Sequence, residues 1–282
     1  MERFYRTVTK EITLPNFKDT IRIWCFGDIH DFTKSCDKER WVEFLREARA
    51  SHTSSTYYLG LGDYWDFAST KEQNVIKMGL HSQTVEDFGD MVKKRNRAMS
   101  FKMSFMKPNV LGLIDGNHGW SFEDGTTATE DLADRLGTDY LGWLCYLTIK
   151  VYLPNNRKST FDIVACHGKS GGKTVGISTN QVDDLREVFP IADIYVMGHN
   201  HQRSAVPVST LVPVWNNDGT RHIKQKRQML CRSGSFKKAY TPDTSSYEAG
   251  RLLRPADLGA LLLKITFCRD DDRVIADIRA EV

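Results

Sequence analysis

Asp193-Ile194-Tyr195-Val196-Met197-Gly198-His199-Asn200-His201 is an apolar run that stops at a glycine and gives way to two histidines one residue apart. Apolar runs of this length, rich in β-formers and closed by glycine, read as buried strands. A His-x-His pair at a strand end brings two imidazoles to one spot from neighbouring backbone positions. Neutral imidazole is a common ligand for divalent transition metals. Taken alone, the pair is equally well two histidines that fell together in a loop. The rest of the chain repeats the pattern. Ile21–Gly27 runs into Asp28-Ile29-His30, and Thr56–Gly62 runs into Asp63, with Asp66 three residues on. Val110–Gly116 runs into Asn117-His118, and Phe161–Cys166 into His167-Gly168. Ligand and catalytic groups gather at the carboxyl ends of strands in α/β folds. Repeated endings of this kind predict one site fed by several strands.

The ordered blocks Asp28-x-His30, Gly62-Asp63-x-x-Asp66, Gly116-Asn117-His118, His167-Gly168 and Gly198-His199-x-His201 resemble the calcineurin-like metallophosphoesterases. The resemblance spans residues 28 to 201. It implies an α/β, four-layer fold, with two mixed β-sheets packed face to face and flanked by helices. It implies no particular substrate, because the same blocks serve phosphoprotein phosphatases, nucleases, nucleotide hydrolases and pyrophosphatases.

Length and composition set wide bounds. The 282 residues suffice for one large α/β domain, and the expectation is a single domain, 1–282, with a helical insertion at about 69–107. A formal net charge of +3 neither demands nor excludes nucleic acid. The six cysteines form no Cys-x-x-Cys pair, so neither a zinc knuckle nor a disulfide framework is indicated. The start, Met1–Arg6, has no apolar core of signal-peptide length, and no apolar run reaches membrane-spanning length. A cytoplasmic, reducing location without membrane contact is the default expectation.

Along the chain, residues 1–20 read as a lead-in strand or arm. Ser35 and Asp37 offer N-caps for a helix near 37–50. Ser69-x-x-Glu72 and Thr127-x-x-Glu130 are capping-box patterns. Val85, Phe88, Val92, Met99, Met103 and Met106 keep one helical face up to Lys107-Pro108. The opposite face carries Lys93, Lys94, Arg95, Arg97 and Lys102, which is either a solvated face or a basic wall for a polyanion. Strands are expected near 144–153, 161–166, 227–232, 259–267 and 273–280, a short helix near 179–188, and a long polar loop over 241–257. His167–Thr174 imitates a phosphate-binding P-loop, but His167 stands where that motif needs glycine. An ATPase is rejected on that ground.

Phosphoesters resist hydrolysis because their negative charge repels a nucleophile; paired divalent ions neutralise that charge and lower the pKa of a bridging water. By the resemblance, one ion takes Asp28, His30, Asp63 and His201, and the other takes Asp63, Asn117, His167 and His199. Asp63 is the bridge. Asp/Asn/His ligation suits Mn, the first choice, or Fe, Zn, Ni or Co, better than Ca or Mg. The resemblance gives His118 the role of phosphate contact and general acid, oriented by Asp66. Asn117, Trp120 and Lys169 are further substrate-contact candidates. Gly119 stands where relatives often carry Asp or Glu, and Phe67-Ala68 follows Asp66 where protein phosphatases have Arg-Gly. That argues against a phosphoprotein phosphatase. Aromatics Tyr64, Trp65 and Trp120, the basic helix and a basic run at Arg221–Arg227 favour a phosphodiester of nucleotide or nucleic-acid type. The alternatives are a phosphomonoesterase or pyrophosphatase on a small molecule, and a binding scaffold without catalysis.

Overall fold

A computed structural model describes residues 5–67, 69–169, 174–216, 218–240, 247–250, 252, 255, 257–270 and 273–282. The ligand-bearing stretches occupy neighbouring strands in two sheets. Strands β2 (Ile21–Phe26), β3 (Thr56–Gly60) and β4 (Val110–Leu113) run side by side and parallel. Their last residues stand in register, Phe26 beside Gly60 and Gly60 beside Leu113, so three loops leave one edge together. Strands β6 (Arg157–Cys166) and β7 (Ile194–Met197) do the same in the second sheet, with Cys166 beside Met197.

The remaining strands complete two mixed sheets. β1 (Tyr5–Thr13), β5 (Leu144–Leu153), β8 (Arg203–Trp215) and β9 (Arg221–Ser233) join β6 and β7 in the order β1-β5-β6-β7-β9-β8. β10 (Leu261–Asp270) and β11 (Arg273–Glu281) give the order β11-β10-β2-β3-β4. Strand side chains alternate between faces, and the burial follows that period. Ile21, Ile23 and Cys25 of β2 meet Ile163, Ala165, Ile194 and Val196 in a core between the sheets. Phe26 and Tyr58 point the other way, onto α1 (Lys38–Ala50), α3 (Ser82–Lys102) and α4 (Ala128–Leu136). Val164, Tyr195 and Met197 face outward onto Val182 and Leu185 of α5 (Val175–Val188). The result is the expected four layers: helices, sheet, sheet, helix.

The helices start where the sequence offers caps. The Asp37 carboxylate accepts the Arg40 amide, and α1 lays Trp41, Phe44 and Ala48 against the sheet. Both capping boxes form, Ser69/Glu72 at α2 (Thr70–Gly79) and Thr127/Glu130 at α4. The stretch 69–107 holds two helices, α2 and α3, and His81 caps the second. Two strand readings are corrected. Strand β8 was not expected at all. It carries Pro207 and Pro213, which lower strand propensity, and it is tolerated because it is an edge strand. β9 starts earlier than expected, at Arg221, because it pairs with β8 along its whole length. Most of the expected loop over 241–257 lies outside the described residues; Tyr247–Gly250 forms one turn, α6.

Candidate metal centre

Five of the residues in question share a backbone property. Asp28, His30, Asp63, His199 and His201 have φ of 48°, 48°, 49°, 67° and 60°. L-residues rarely adopt this left-handed region, at a cost of about 1–3 kcal/mol each, and such strain gathers at functional sites. The neighbouring loops hold the strain in place. The amides of Asp28 and His30 donate to the carbonyls of Gly62 and Asp63 at 2.9 and 3.0 Å. The His199 amide donates to Asp28 Oδ2 at 2.8 Å, tying the two sheets together. The His118 amide donates to Asp63 Oδ1 at 2.9 Å. Gly116 makes that approach possible, since a Cβ there would lie 2.2 Å from the Asp63 amide nitrogen and Oδ1.

The proposed ligands converge in two groups that meet at one oxygen. Asp63 Oδ2 lies 3.7 Å from His30 Nε2 and 3.2 Å from His167 Nε2. On one side, Asp28 Oδ1 lies 3.8 Å from His30 Nε2 and 3.5 Å from His201 Nε2. On the other, His167 Nε2 lies 2.9 Å from Asn117 Oδ1 and 3.1 Å from His199 Nδ1. The sets Asp28/His30/His201 and Asp63/His167/His199 each present ligand atoms within 4.8 Å of one another. His30/Asp63/His118 does so as well, which the expected ligand set did not include.

The donor chemistry fits metal ions. His167 Nδ1 faces the Leu61 carbonyl at 2.7 Å, and His30 Nδ1 faces Asp66 Oδ2 at 3.0 Å. Each such nitrogen carries a proton, so each Nε2 is the nitrogen that would present a lone pair to a metal, as outer partners of metal-binding histidines arrange. Yet His30 Nε2 meets His201 Nε2 at 3.2 Å, so imidazole nitrogens crowd one another. Asp28 Oδ1 is buried and accepts no hydrogen bond from the described residues. Buried orphan acceptors are costly, and a cation between these atoms would satisfy them together.

The electrostatics agree. Burial pushes the Asp63 carboxyl up, but the charges of His167 and His30 overcome it and hold it well below the usual range. Burial likewise pushes His167 down, and Asp63 beside it lifts it to about 9. His199 is driven down to about 4 by burial and by the charge of His167. Without metal, this network balances buried carboxylates with protons on histidine.

Asp66 serves two histidines at once. Its Oδ1 takes His118 Nδ1 at 2.7 Å and its Oδ2 takes His30 Nδ1. The His118 side chain keeps 25 % of its surface exposed, whereas His30 is buried. Burial pushes His118 down, and the bond to Asp66 and the charge of Asp63 outweigh it, raising its pKa. Its Nε2 is the nitrogen left to meet a substrate.

The other expected substrate contacts fare differently. Trp120 is 2 % exposed and packs on Phe88 of α3 with ring centroids 4.3 Å apart, so it is a core residue and not a substrate contact. Tyr64 and Trp65 are also buried. Lys169 extends outward and pairs with Asp184 of α5 at 2.9 Å, so it is engaged there. On the basic helix, Arg95 stacks over Phe32 at 4.0 Å, Lys93 lies over Phe122, and Lys102 pairs with Asp31 at 3.6 Å. The run at 221–227 is occupied in the β8–β9 hairpin: Arg221 over Trp215, and Lys226 with Asp193 at 2.9 Å. Residues 170–173 of the P-loop-like stretch lie outside the described residues.

Sequence reasoning passed over several supports. Lys237 Nζ sits 3.9 Å from Asp66 Oδ2. Arg232 is buried and donates to the carbonyls of Ser178 and Gly198, fixing the turn that carries His199. The Ser235 hydroxyl and the Phe236 amide both donate to the Asp28 carbonyl at 3.0 Å. Half-buried Asp115 accepts from Thr129, Tyr140 and the Gly116 amide, anchoring the Asn117 loop. Three of these lie in Arg232–Phe236, which in sequence resembles the small-residue block that follows the His-x-His of the metallophosphoesterases, although the tasks of its residues are visible only in the fold.

No protein-family model matches the sequence, and no curated protein matches it. Among solved structures, Vps29 from Cryptosporidium parvum is similar at 12 % identity and a TM-score of 0.36, covering 93 % of this chain and 98 % of that one. A single mutant of Vps29 from Entamoeba histolytica matches at 13 % identity and 0.37, covering 93 % and 99 %. The calcineurin-like phosphoesterase YfkN from Bacillus subtilis matches at 10 % and 0.34, covering 94 % and 90 %. Values this low name no function for the chain.

Proposed function

We propose that the chain is a dinuclear metal-dependent phosphoesterase, with a phosphodiester of nucleotide or nucleic-acid type as its leading substrate class. One observation carries the reading: a single oxygen, Asp63 Oδ2, faces His30 on one side and His167 on the other, within 3.7 and 3.2 Å. A carboxylate so placed is suited to be shared by two cations. Asp28, His30, Asp63 and His201 would hold one ion, and Asp63, Asn117, His167 and His199 the other, with Mn, Fe, Zn, Ni or Co as the suitable metals. When bound, such a pair supplies charge against the phosphoryl oxygens and acidifies water as the nucleophile.

The chain's own residues do the rest. Asp66 holds His118 by Nδ1, so that Nε2 carries the transferable proton. The bond to Asp66 and the charge of Asp63 raise the His118 pKa and so favour the protonated ring. Donation to the departing oxygen is general acid catalysis. Asp66 stays ionised beside the ring and so stabilises the imidazolium before its proton leaves, because both histidines hold the Asp66 pKa low against burial.

The test is metal content and turnover of purified protein on a nitrophenyl diester and its matching monoester. Wild type should retain metal and hydrolyse at least one of them. Asp63→Asn should lose metal and turnover while keeping its secondary structure. Wild-type rates from Asp63→Asn with saturating Mn would remove the two-metal reading, and metal without turnover in wild type would favour a binding scaffold.

A further inference from the structure

The β8–β9 hairpin runs on beyond the sheet that roots it. β7 pairs with β9 over Met229–Arg232. Residues 208–215 and 221–228 therefore form a ribbon with no third strand among the described residues. From Arg203, two residues past His201, to Trp215 the strand spans about 40 Å. A two-stranded ribbon is marginal in water by itself, yet this one exposes large apolar side chains. Residues directly opposite one another share a face of the ribbon. Leu211 stands opposite Gln225, Pro213 opposite Ile223, and Trp215 opposite Arg221. Leu211, Trp215 and Ile223 thus share one face, and they are 72 %, 58 % and 62 % exposed.

The same ribbon holds the chain's excess charge. Residues 208–228 contain four Lys or Arg and one acid, Asp218, a net +3 that equals the net charge of all 282 residues. Lys226 is held by Asp193 at 2.9 Å, and Arg227 lies 3.7 Å from Asp277. Nearer the tip, Arg221, His222 and Lys224 are exposed. Arg221 lies over the Trp215 ring at 4.2 Å, a contact that leaves its charge unneutralised. Cations continue onto the body. Arg157 and Lys158 line a cavity of about 590 Å³ whose wall includes Asp193, the partner of Lys226.

These features discriminate among partners. Pro207 and Pro213 cannot donate hydrogen bonds, which blunts the free edge of β8 against an added strand. A two-fold contact with a second copy would lay the ribbon on itself and bring Arg221 and Lys224 against equal charges. Entry into a bilayer would carry Asp218, at the turn, into hydrocarbon. A polyanion with exposed planar groups matches both the charge and the apolar face. We propose that the ribbon docks single-stranded nucleic acid, with Arg221 and Lys224 on phosphates and unstacked bases against Trp215, Leu211 and Ile223. The proposal concerns binding, and it rests on the phosphoesterase reading only for the strand's later cleavage.

Fluorescence anisotropy on the full chain tests it, in chelator so that no metal-dependent cleavage intervenes. The probes are a labelled oligothymidylate of about twenty nucleotides and a duplex of the same length. Wild type should bind the single strand more tightly than the duplex, with affinity falling steeply as salt rises. The double variant Arg221→Gln/Lys224→Gln should weaken binding and lower the slope of log K against log salt by roughly one to two. Trp215→Ala should weaken binding by about tenfold, and Trp215→Phe should restore most of it. All three positions are exposed, so the variants should fold, which circular dichroism checks. No binding at about 50 mM salt, tighter binding of the duplex, or an unchanged slope in the double variant overturns the proposal. Binding to phosphatidylserine vesicles without binding to the single strand overturns it as well. Such failures leave the metal content and turnover of wild type and Asp63→Asn untouched, so the two readings fall separately.

Discussion

His30 and His118 lean on opposite oxygens of one carboxylate, Asp66, and that sharing shapes what single substitutions should do. A general acid matters most for a poor leaving group. His118→Asn should therefore lower kcat/KM by about 10²–10⁴ for an alkyl ester, with a much smaller loss for a nitrophenyl ester of the same phosphate. Metal content measured alongside should stay at the wild-type level. Loss of an ion would instead make His118 a ligand, which its place beside His30 and Asp63 permits. Asp66→Asn should do more than loosen the acid: the amide would weaken the hold on His30 as well as on His118, so both metal retention and turnover should fall. The ligands were legible because each stands at a strand end beside small residues. Lys237 and Arg232 were not, since only the fold brings them to Asp66 and Gly198. Trp120 was misread because its partner, Phe88, lies on a helix more than thirty positions earlier in the chain.

Helices α3 and α4 meet through a polar contact inside an apolar layer. Asn96 is buried and donates to the Ala128 carbonyl at 2.8 Å and to Asp131 at 2.6 Å. Asp131 also takes Arg135, so one side chain organises the N-terminal half of α4. Asn96→Ala should destabilise the protein by about 1–3 kcal/mol, the usual cost of stripping a buried hydrogen-bond partner. Urea denaturation checks the value, and turnover per folded molecule should be retained. At this scale the caps were readable, because Ser, Thr or Asp followed by Glu is a local signal. The break between α2 and α3 was harder to see: apolar periodicity runs through it, and the cap is an unusual one, His81. Strand β8 escaped because its prolines suppress the local signal, and its pairing with β9 supplies what propensity does not.

Across the molecule, the site is a seam between two sheets. Asp28 comes from one and the His199 amide that it accepts from the other. Metal ions bound along that seam would hold the layers together, and anything that binds only the folded state stabilises it by mass action, about 2.7 kcal/mol at a hundred times Kd. The melting temperature of metal-stripped protein should rise with added Mn and saturate, and a chelator should reverse the rise. In Asp63→Asn the dependence should be weak or absent. The layered architecture was legible through the resemblance that the ligand blocks carry, and the structure agrees: β2, β6 and β7 bury side chains on both faces.

The left-handed backbone at His199 and His201 sets two kinds of selection against each other. Glycine, and to a lesser degree asparagine, occupies that region with less strain than histidine. A saturation library sorted only for cellular abundance should therefore drift toward Gly or Asn at 199 and 201. The same library sorted for metal retention should hold histidine at both. The divergence of the two sequence profiles, position by position, would chart where this protein keeps its chemistry at the expense of its own durability.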